Sequence, residues 1–429
     1  MKCKKFIKQN AMLLVAVTAA IISLFITPPS LELLRNIDWK TLATLFMLLS
    51  ILDGFKNENL FLPVIRLSDR MSNLMGVGFF LVFGVFFSSM FVTNDVSLII
   101  FVPLTIRIYR KRKREEFILP LLTMENIAAI RGSLLTPFGS PQNLFLYGNS
   151  GMKFCAFLRM MLPLCTMSAL LIAVFLLVIF RRRKRRPAVE KVITGGNNGK
   201  LLNAFAGENN SKILNAVAGE KNGEASETRA PGNESADRED TAPQIICPDE
   251  EKWIKERRGK RILYGILLIA AVISIVSRTQ YWLYVVLSVT ILLLIFDRRV
   301  FLRVDYSLLG TFLCFFIFSQ SLAQNRQIGR FLAQHVAGHE YLWSIAISQV
   351  ISNVPASIVL WPFTENLKAL IYGLDTAGLV SIIGSLASVI NLRLYVLEYP
   401  GEGGRFIAVF EKISLLFFAC VVLLQMLLL

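Results

Sequence analysis

The sequence predicts an all-α polytopic membrane protein made of two inverted-topology repeats, each with a re-entrant hairpin and a broken transmembrane helix. Three observations lead there. Hydrophobic residues are 54% of the 429 positions and charged residues 18%, with 32 phenylalanines, more apolar surface than a water-soluble chain of this length can hide. The basic residues stand in short blocks between apolar runs, the pattern of cytoplasmic loops. Several apolar runs are broken at their centres by polar or Pro/Gly-rich residues, and the breaks recur in the same order in both halves.

The first transmembrane repeat is read over residues 1–186. Lys2, Lys4, Lys5 and Lys8 precede an apolar run at 11–26. No convincing small-residue cleavage site follows, so the run reads as an uncleaved first helix with the N-terminus inside. A second span covers 38–56, and 57–72 is a surface connection. The run 73–106 contains one charge, Asp95. It is too long for one helix across a core of roughly 30 Å and too short for two complete spans with a turn. Thr93-Asn94-Asp95 divides it into two apolar arms, and the basic block Arg107–Arg114 follows, which reads as a re-entrant hairpin with both ends cytoplasmic. Within 117–149, the stretch Thr136-Pro137-Phe138-Gly139-Ser140-Pro141-Gln142-Asn143 forbids a continuous helix and predicts a broken one. A clean span at 155–180 ends in Arg181–Arg186.

Residues 187–256 are polar and contain a tandem repeat, Asn197–Glu208 and Asn209–Glu220. They read as a disordered cytoplasmic linker. Residues 257–429 then supply an extra span and the second repeat. Spans are expected at 262–277, 281–296 and 306–323, followed by polar sequence at 324–340. A second hairpin at 341–363 is broken at Ser352-Asn353-Val354-Pro355. A Gly/Ser-interrupted span at 377–397 and a last span at 405–429 complete nine full crossings and two hairpins, with the C-terminus outside.

The halves match at three places in the same order. Asp38-Trp39 corresponds to Asp305-Tyr306; Thr93-Asn94 to Ser352-Asn353, with equal offsets to Pro103 and Pro362; and Asn143-Leu144-Phe145-Leu146-Tyr147 to Asn391-Leu392-Arg393-Leu394-Tyr395. Duplication with opposite orientation is the architecture of secondary transporters.

Irregular backbone at membrane depth is tolerated where it lines a cavity. Helix ends there offer N–H groups to an anion and C=O groups to a cation. The candidate substrate- and ion-binding residues are therefore Thr93, Asn94, Asp95, Thr136, Gly139, Ser140, Asn143, Ser352, Asn353, Ser388 and Asn391. The small residues among them serve helix packing equally well. Asn94 and Asn353 carry the stronger functional reading, because each ends an apolar arm at the matching place. An ionised carboxylate at this depth is costly unless it is paired or protonated, so Asp95 is the expected carrier of a coupling ion, Na+ or H+. A Na+ ion would sit at Asn94, Asp95 and Asn353. Arg131, Glu125 and Arg393 are candidate charge partners; Arg131 either neutralises an anion, pairs with Asp95, or forms a structural ion pair.

The formal net charge is +16 and the pI about 9.7. Distributed as loop blocks, this excess marks orientation in a bilayer, so the lipid bilayer and not nucleic acid is the expected partner. A soluble enzyme is excluded by composition. The six cysteines form no CxxC pair, and the two histidines, His335 and His339, lie outside any HExxH pattern. No disulfide scaffold, metal centre or other cofactor is expected, and the histidines read as an exposed loop or helix end.

Thr93-Asn94-Asp95 followed by an apolar arm, the Thr136–Asn143 stretch and Ser352-Asn353-Val354-Pro355 resemble the ion transporter superfamily. That group includes arsenite permeases of the ArsB kind, NhaD-like sodium/proton antiporters, and citrate and divalent-anion/sodium symporters. The likeness is greatest to ArsB/NhaD-type anion permeases of bacterial inner membranes, and it covers nearly all of the chain except 187–256. The resemblance implies a binding site at two hairpin tips, an elevator-like movement against a scaffold, and a homodimer. In the dicarboxylate branch, Ser-Asn-Thr tips hold sodium and substrate; Asp95 and Val354 depart from that pattern at the third place. The expected function is secondary active transport of a small inorganic or carboxylate anion across the cytoplasmic membrane, coupled to H+ or Na+. The alternatives are a NhaD-type Na+/H+ antiporter and an arsenite efflux permease. A scaffold is disfavoured because polar helix breaks are costly without a ligand or pore. A membrane enzyme is not expected, since no acid pair, nucleophile arrangement or ligand cluster lies at depth.

Overall fold

The computed structural model describes residues 11–28, 30–57, 71, 73–184, 258–277 and 280–426. The expected linker at 187–256, the lysines before the first helix and most of the 57–72 connection lie outside these residues. Among the described residues every regular element is a helix. The first part contains α1 (Ala11–Ile26), α2 (Leu31–Arg35) and α3 (Trp39–Asn57). The first hairpin is α4 (Leu74–Val92) and α5 (Asn94–Lys111), the first broken helix is α6 (Ile118–Gly132) and α7 (Pro141–Asn149), and α8 (Phe154–Lys184) follows. The second part contains α9 (Arg258–Ser277), α10 (Trp282–Asp297), α11 (Tyr306–Gln324) and α12 (Arg326–Val336). Its hairpin is α13 (Glu340–Ile351) and α14 (Asn353–Leu360), its broken helix is α15 (Leu367–Ala377) and α16 (Leu386–Glu398), and α17 (Gly403–Gln425) ends the described chain.

Among the described residues five helices are long and apolar enough to cross a bilayer: α4, α8 over Phe154–Arg181, α9 from Gly259, α11 and α17. The surface of α9 shows what surrounds them. Tyr264, Leu267, Ala271 and Ile275 are buried on one face, while Ile262, Ile266, Ile269 and Ile273 on another are 55%, 59%, 61% and 60% exposed. A helix that is apolar on its inner and outer faces is solvated by hydrocarbon. The chain is a multi-pass membrane protein.

Three sequence expectations change in detail. The basic block after the first hairpin is not a loop: α5 continues through Arg107 and Arg110 to Lys111. There the Tyr109 hydroxyl donates to the Leu74 carbonyl at 2.8 Å, closing the hairpin's open end. The polar stretch 324–340 contains a helix, α12, whose N-cap Asn325 accepts from the Gln327 and Ile328 N–H groups; His335 lies in its last turn and His339 immediately precedes α13. The span expected at 377–397 is the second half of a broken helix whose first half, α15, starts at Leu367.

Asp38 and Asp305 play the same role. The Oδ1 of Asp38 accepts from the Thr41 N–H at 3.0 Å, and the Oδ1 of Asp305 from the Leu308 N–H at 3.0 Å, so each carboxylate satisfies an orphan donor at the start of α3 or α11. The packing is parallel too. In each hairpin the first arm lies on the first half of its own broken helix, α4 on α6 and α13 on α15. The second arm crosses to the other part of the chain, α5 to α16 and α14 to α7. A glycine allows each close approach. A Cβ on Gly132 would stand 2.0 Å from the Phe86 carbonyl oxygen, and one on Gly373 would stand 2.5 Å from that of Tyr341.

Candidate transport site

The two hairpins turn in the same way. Thr93 has φ 68° and ψ 155°, and Ser352 has φ 70° and ψ 159°. This conformation is ordinarily reserved for glycine and costs about 1–3 kcal/mol at another residue. It reverses the chain in a single residue, so one helix ends and the next begins with an asparagine. Asn94 and Asn353 are both buried. The Asn94 side-chain oxygen accepts from the Asp95 N–H at 3.0 Å. Behind the first tip, Ser88 donates to Ser97 at 2.9 Å and Ser97 to the Thr93 carbonyl at 3.0 Å. Behind the second, the Ala356 N–H donates to the Ser352 carbonyl at 3.1 Å.

Each tip is tied to the break beside it by a hydroxyl hydrogen bond, to a main-chain carbonyl in the first half and to a side-chain amide in the second. The Thr136 hydroxyl donates to the Met90 carbonyl, and the Ser381 hydroxyl to Gln349 Oε1 at 2.7 Å. Thr136 and Ser381 each stand three residues before a glycine, and Met90 and Gln349 each stand three residues before a tip. Gly139 and Gly384 are required where they are: a Cβ would lie 2.5 Å from the Ser133 carbonyl oxygen and 2.4 Å from that of Ala377. The Asn353 N–H donates to the Gly384 carbonyl at 3.2 Å. Ser140 and Ser385 then start α7 and α16. Measured from these serines, Asn143 corresponds to Ser388, and Asn391 lies three residues further on. The sequence match of Asn143 with Asn391 is therefore out of step with the helix starts.

The two broken helices also bond to each other. Arg131, fully buried, donates through Nε to Ser168 at 2.9 Å and through a terminal nitrogen to the Asp375 carbonyl at 3.3 Å. The buried Asp375 carboxylate accepts from Gln142 at 3.2 Å and from Asn143 at 3.4 Å. Asn126 donates to Ser388 at 2.9 Å, and Asn391 to the Leu122 carbonyl at 2.7 Å. The acid beside Arg131 is thus Asp375 on α15, where the sequence offers Asp95 as the alternative to an anion. Glu125 is buried and accepts from Thr105. Arg393 is exposed on α16 and is not among the buried residues at the breaks. Thr93 and Asp95 are half-buried, and Thr136, Ser140 and Ser352 are buried.

Asp375, Gln142, Asn126, Gln349 and Ser381 escaped the sequence reading. Asp375 was lost with α15, whose sequence Leu367–Ala377 is short and only moderately apolar. Symmetry held the signal: α6 places 15 residues before its break, so a counterpart is required before Gly384.

Four helices begin at these tips and breaks, α5, α7, α14 and α16, and four end there, α4, α6, α13 and α15. Their starts present partial positive charge and their ends partial negative charge. A cavity lined by Asp38, Phe145, Asn149, Ser319, Ile358 and Trp361 opens at the far ends of α7 and α14. The eight residues of α14 separate it from the Ser352 tip by about 12 Å at 1.5 Å per residue. Asn149 donates to Asp38 at 2.7 Å on its rim.

Comparison with known proteins adds the family. The profile of the citrate transporter family matches residues 6–389. The inner membrane protein YbiR of Escherichia coli K12 is 28% identical over 366 residues, which cover 83% of this chain and 80% of that protein. An uncharacterized transporter of Methanocaldococcus jannaschii, MJ0456, is 26% identical over 369 residues, covering 85% of this chain and 83% of that protein. The crystal structure of the Alcanivorax borkumensis YdaH transporter, described as having an unusual topology, covers 96% of this chain and 97% of its own with 14% identity and a TM-score of 0.49, a likeness too weak to bear on function. With the profile spanning both hairpins and both helix breaks, the chain belongs to the citrate transporter family and is a membrane transporter, not an enzyme.

Proposed function

We propose that this transporter moves a small inorganic or carboxylate anion across the cytoplasmic membrane by secondary active transport, coupled to H+ or Na+. The observation that carries the reading is that each hairpin tip is bonded to its own helix break, while Asp375, whose carbonyl accepts from the fully buried Arg131, accepts from Gln142 and Asn143 at the start of α7. Helix starts attract an anion without a fixed charge of their own. Asn94, Thr136, Ser140, Asn143, Asn353 and Ser388 surround that position in this reading, and Gly139 lets the backbone turn there. Asp95, two residues past the Thr93 turn, carries or binds the coupling ion. The parallel halves act as inverted repeats around the site, with the N-terminus cytoplasmic, and the working unit is a homodimer.

The test is transport by purified protein in proteoliposomes under separate Na+ and H+ gradients, with arsenite, sulfate, phosphate, citrate and dicarboxylates offered in turn. Gradient-driven flux of one anion in the wild type and its loss in Asp95→Asn are expected. Buried Glu125 and Asp375 favour Na+/H+ exchange as the second reading. Exchange that no anion alters would replace the first reading by the second.

A further inference from the structure

We propose that a Na+ site lies where α5, α6 and α16 meet, away from the hairpin tips, with Glu125, Asn126 and Asn391 as its principal oxygens. These three helices pack pairwise on one another. Two bonds cross from α6 to α16, Asn126 to Ser388 and Asn391 to the Leu122 carbonyl, at 2.9 and 2.7 Å. A third ties α6 to α5, from the Thr105 hydroxyl to Glu125 Oε1. Glu125, Asn126, Asn391 and Ser388 have no solvent exposure. Even so, Glu125 Oε2, Asn126 Oδ1 and Asn391 Oδ1 have no hydrogen-bond partner.

All three orphaned atoms are acceptors, and a buried unsatisfied oxygen costs roughly 1–3 kcal/mol, more if it is charged. The Asn391 amide cannot be turned to remove its orphan, because a carbonyl oxygen accepts its Nδ2–H and would repel Oδ1. A proton on Glu125 supplies one donor and satisfies one oxygen. A cation satisfies several oxygens at once. Oxygen-only ligands suit a hard ion, and a single carboxylate among amide oxygens balances a single positive charge. Arg131 on the same helix is bonded to Ser168 and the Asp375 carbonyl, and its charge lies with that second cluster. The proposal rests on the transport reading only for the ion's role in coupling; binding of the ion stands apart from any anion.

Equilibrium binding of radioactive Na+ to the purified full-length protein, with choline as the balancing cation and no anion substrate, is the test. Saturable binding is expected in the wild type and in the surface control Glu116→Gln. Half-saturation should rise at least tenfold in Glu125→Gln and several-fold in Asn391→Ser. If Glu125→Gln does not fold, Asn391→Ser and Asn126→Ala carry the test, provided that their melting temperatures in choline match the wild type. The proposal is overturned if the wild type binds no Na+, if these variants bind it unchanged, or if Ca2+ displaces it at lower concentration. Absence of anion flux in proteoliposomes would overturn the transport reading and leave this binding result standing.

Discussion

Replacing Gly132 by alanine probes the contact that sets the first hairpin against its broken helix. The new methyl carbon would stand 2.0 Å from the Phe86 carbonyl oxygen and 2.4 Å from Ser89 Oγ. Contacts below 3.0 Å are essentially never seen for a real Cβ, so α4 and α6 must separate by at least 1.0 Å. The blocking atom is helix backbone and cannot swing aside. Overpacking of this kind costs about 1–3 kcal/mol, an apparent melting-temperature drop on the order of 5 °C. The displacement also falls one turn from Met90, whose carbonyl receives the Thr136 hydroxyl, so the tip should lose its register with the break. Melting of the purified protein and flux in proteoliposomes are the paired assays. Gly148→Ala is the control, since its nearest neighbour would be Thr41 Oγ1 at 3.7 Å. Equal melting temperatures for the Gly132 and Gly148 variants, with flux retained in both, would refute the close approach.

Asp375→Asn and Arg131→Gln should each destabilise the protein by about 1–3 kcal/mol, the first by disturbing the acceptor of Gln142 and Asn143 and the second by removing the bonds to Ser168 and the Asp375 main-chain carbonyl. The double variant should lose less than the sum of the two, and strict additivity in melting experiments would show that the two groups are uncoupled. Thr93→Gly and Ser352→Gly remove side chains from a glycine-like conformation and should each stabilise by about 1–3 kcal/mol, read as a rise in melting temperature; a fall in both would mean that the tips are not strained. Glu398→Gln breaks the 2.8 Å pair with Arg110, whose side chain is 34% exposed, so its cost should stay below about 1 kcal/mol. A larger loss that survives high salt would show a buried pair.

The hairpin tips were legible because polar residues in the middle of an apolar run leave few alternatives at membrane depth. Thr93-Asn94 and Ser352-Asn353 stand at the helix reversals where that logic puts them. The first break was legible for a similar local reason, the density of proline and glycine between Thr136 and Asn143. The second break was read too late in the chain. Its first half, α15, carries Lys368, Asp375 and Gly373 within 11 residues, and an apolar-run criterion passes over it. Hydropathy records what a residue would cost in lipid, whereas Asp375 is enclosed by protein donors that come from elsewhere in the chain.

Alone, the sequence determined that the chain is membrane-embedded and helical in its described parts, where the two hairpins turn and where the first broken helix is interrupted. Each of these follows from local composition against the requirement that backbone groups in lipid be satisfied within their own segment. Which broken helix faces which, and which buried charge meets which, was decided by the tertiary structure. Arg131 and Asp375 lie 244 residues apart in the chain, Asn126 and Ser388 262 apart. A side chain's partner at such separations depends on helix packing and register, which local sequence does not encode.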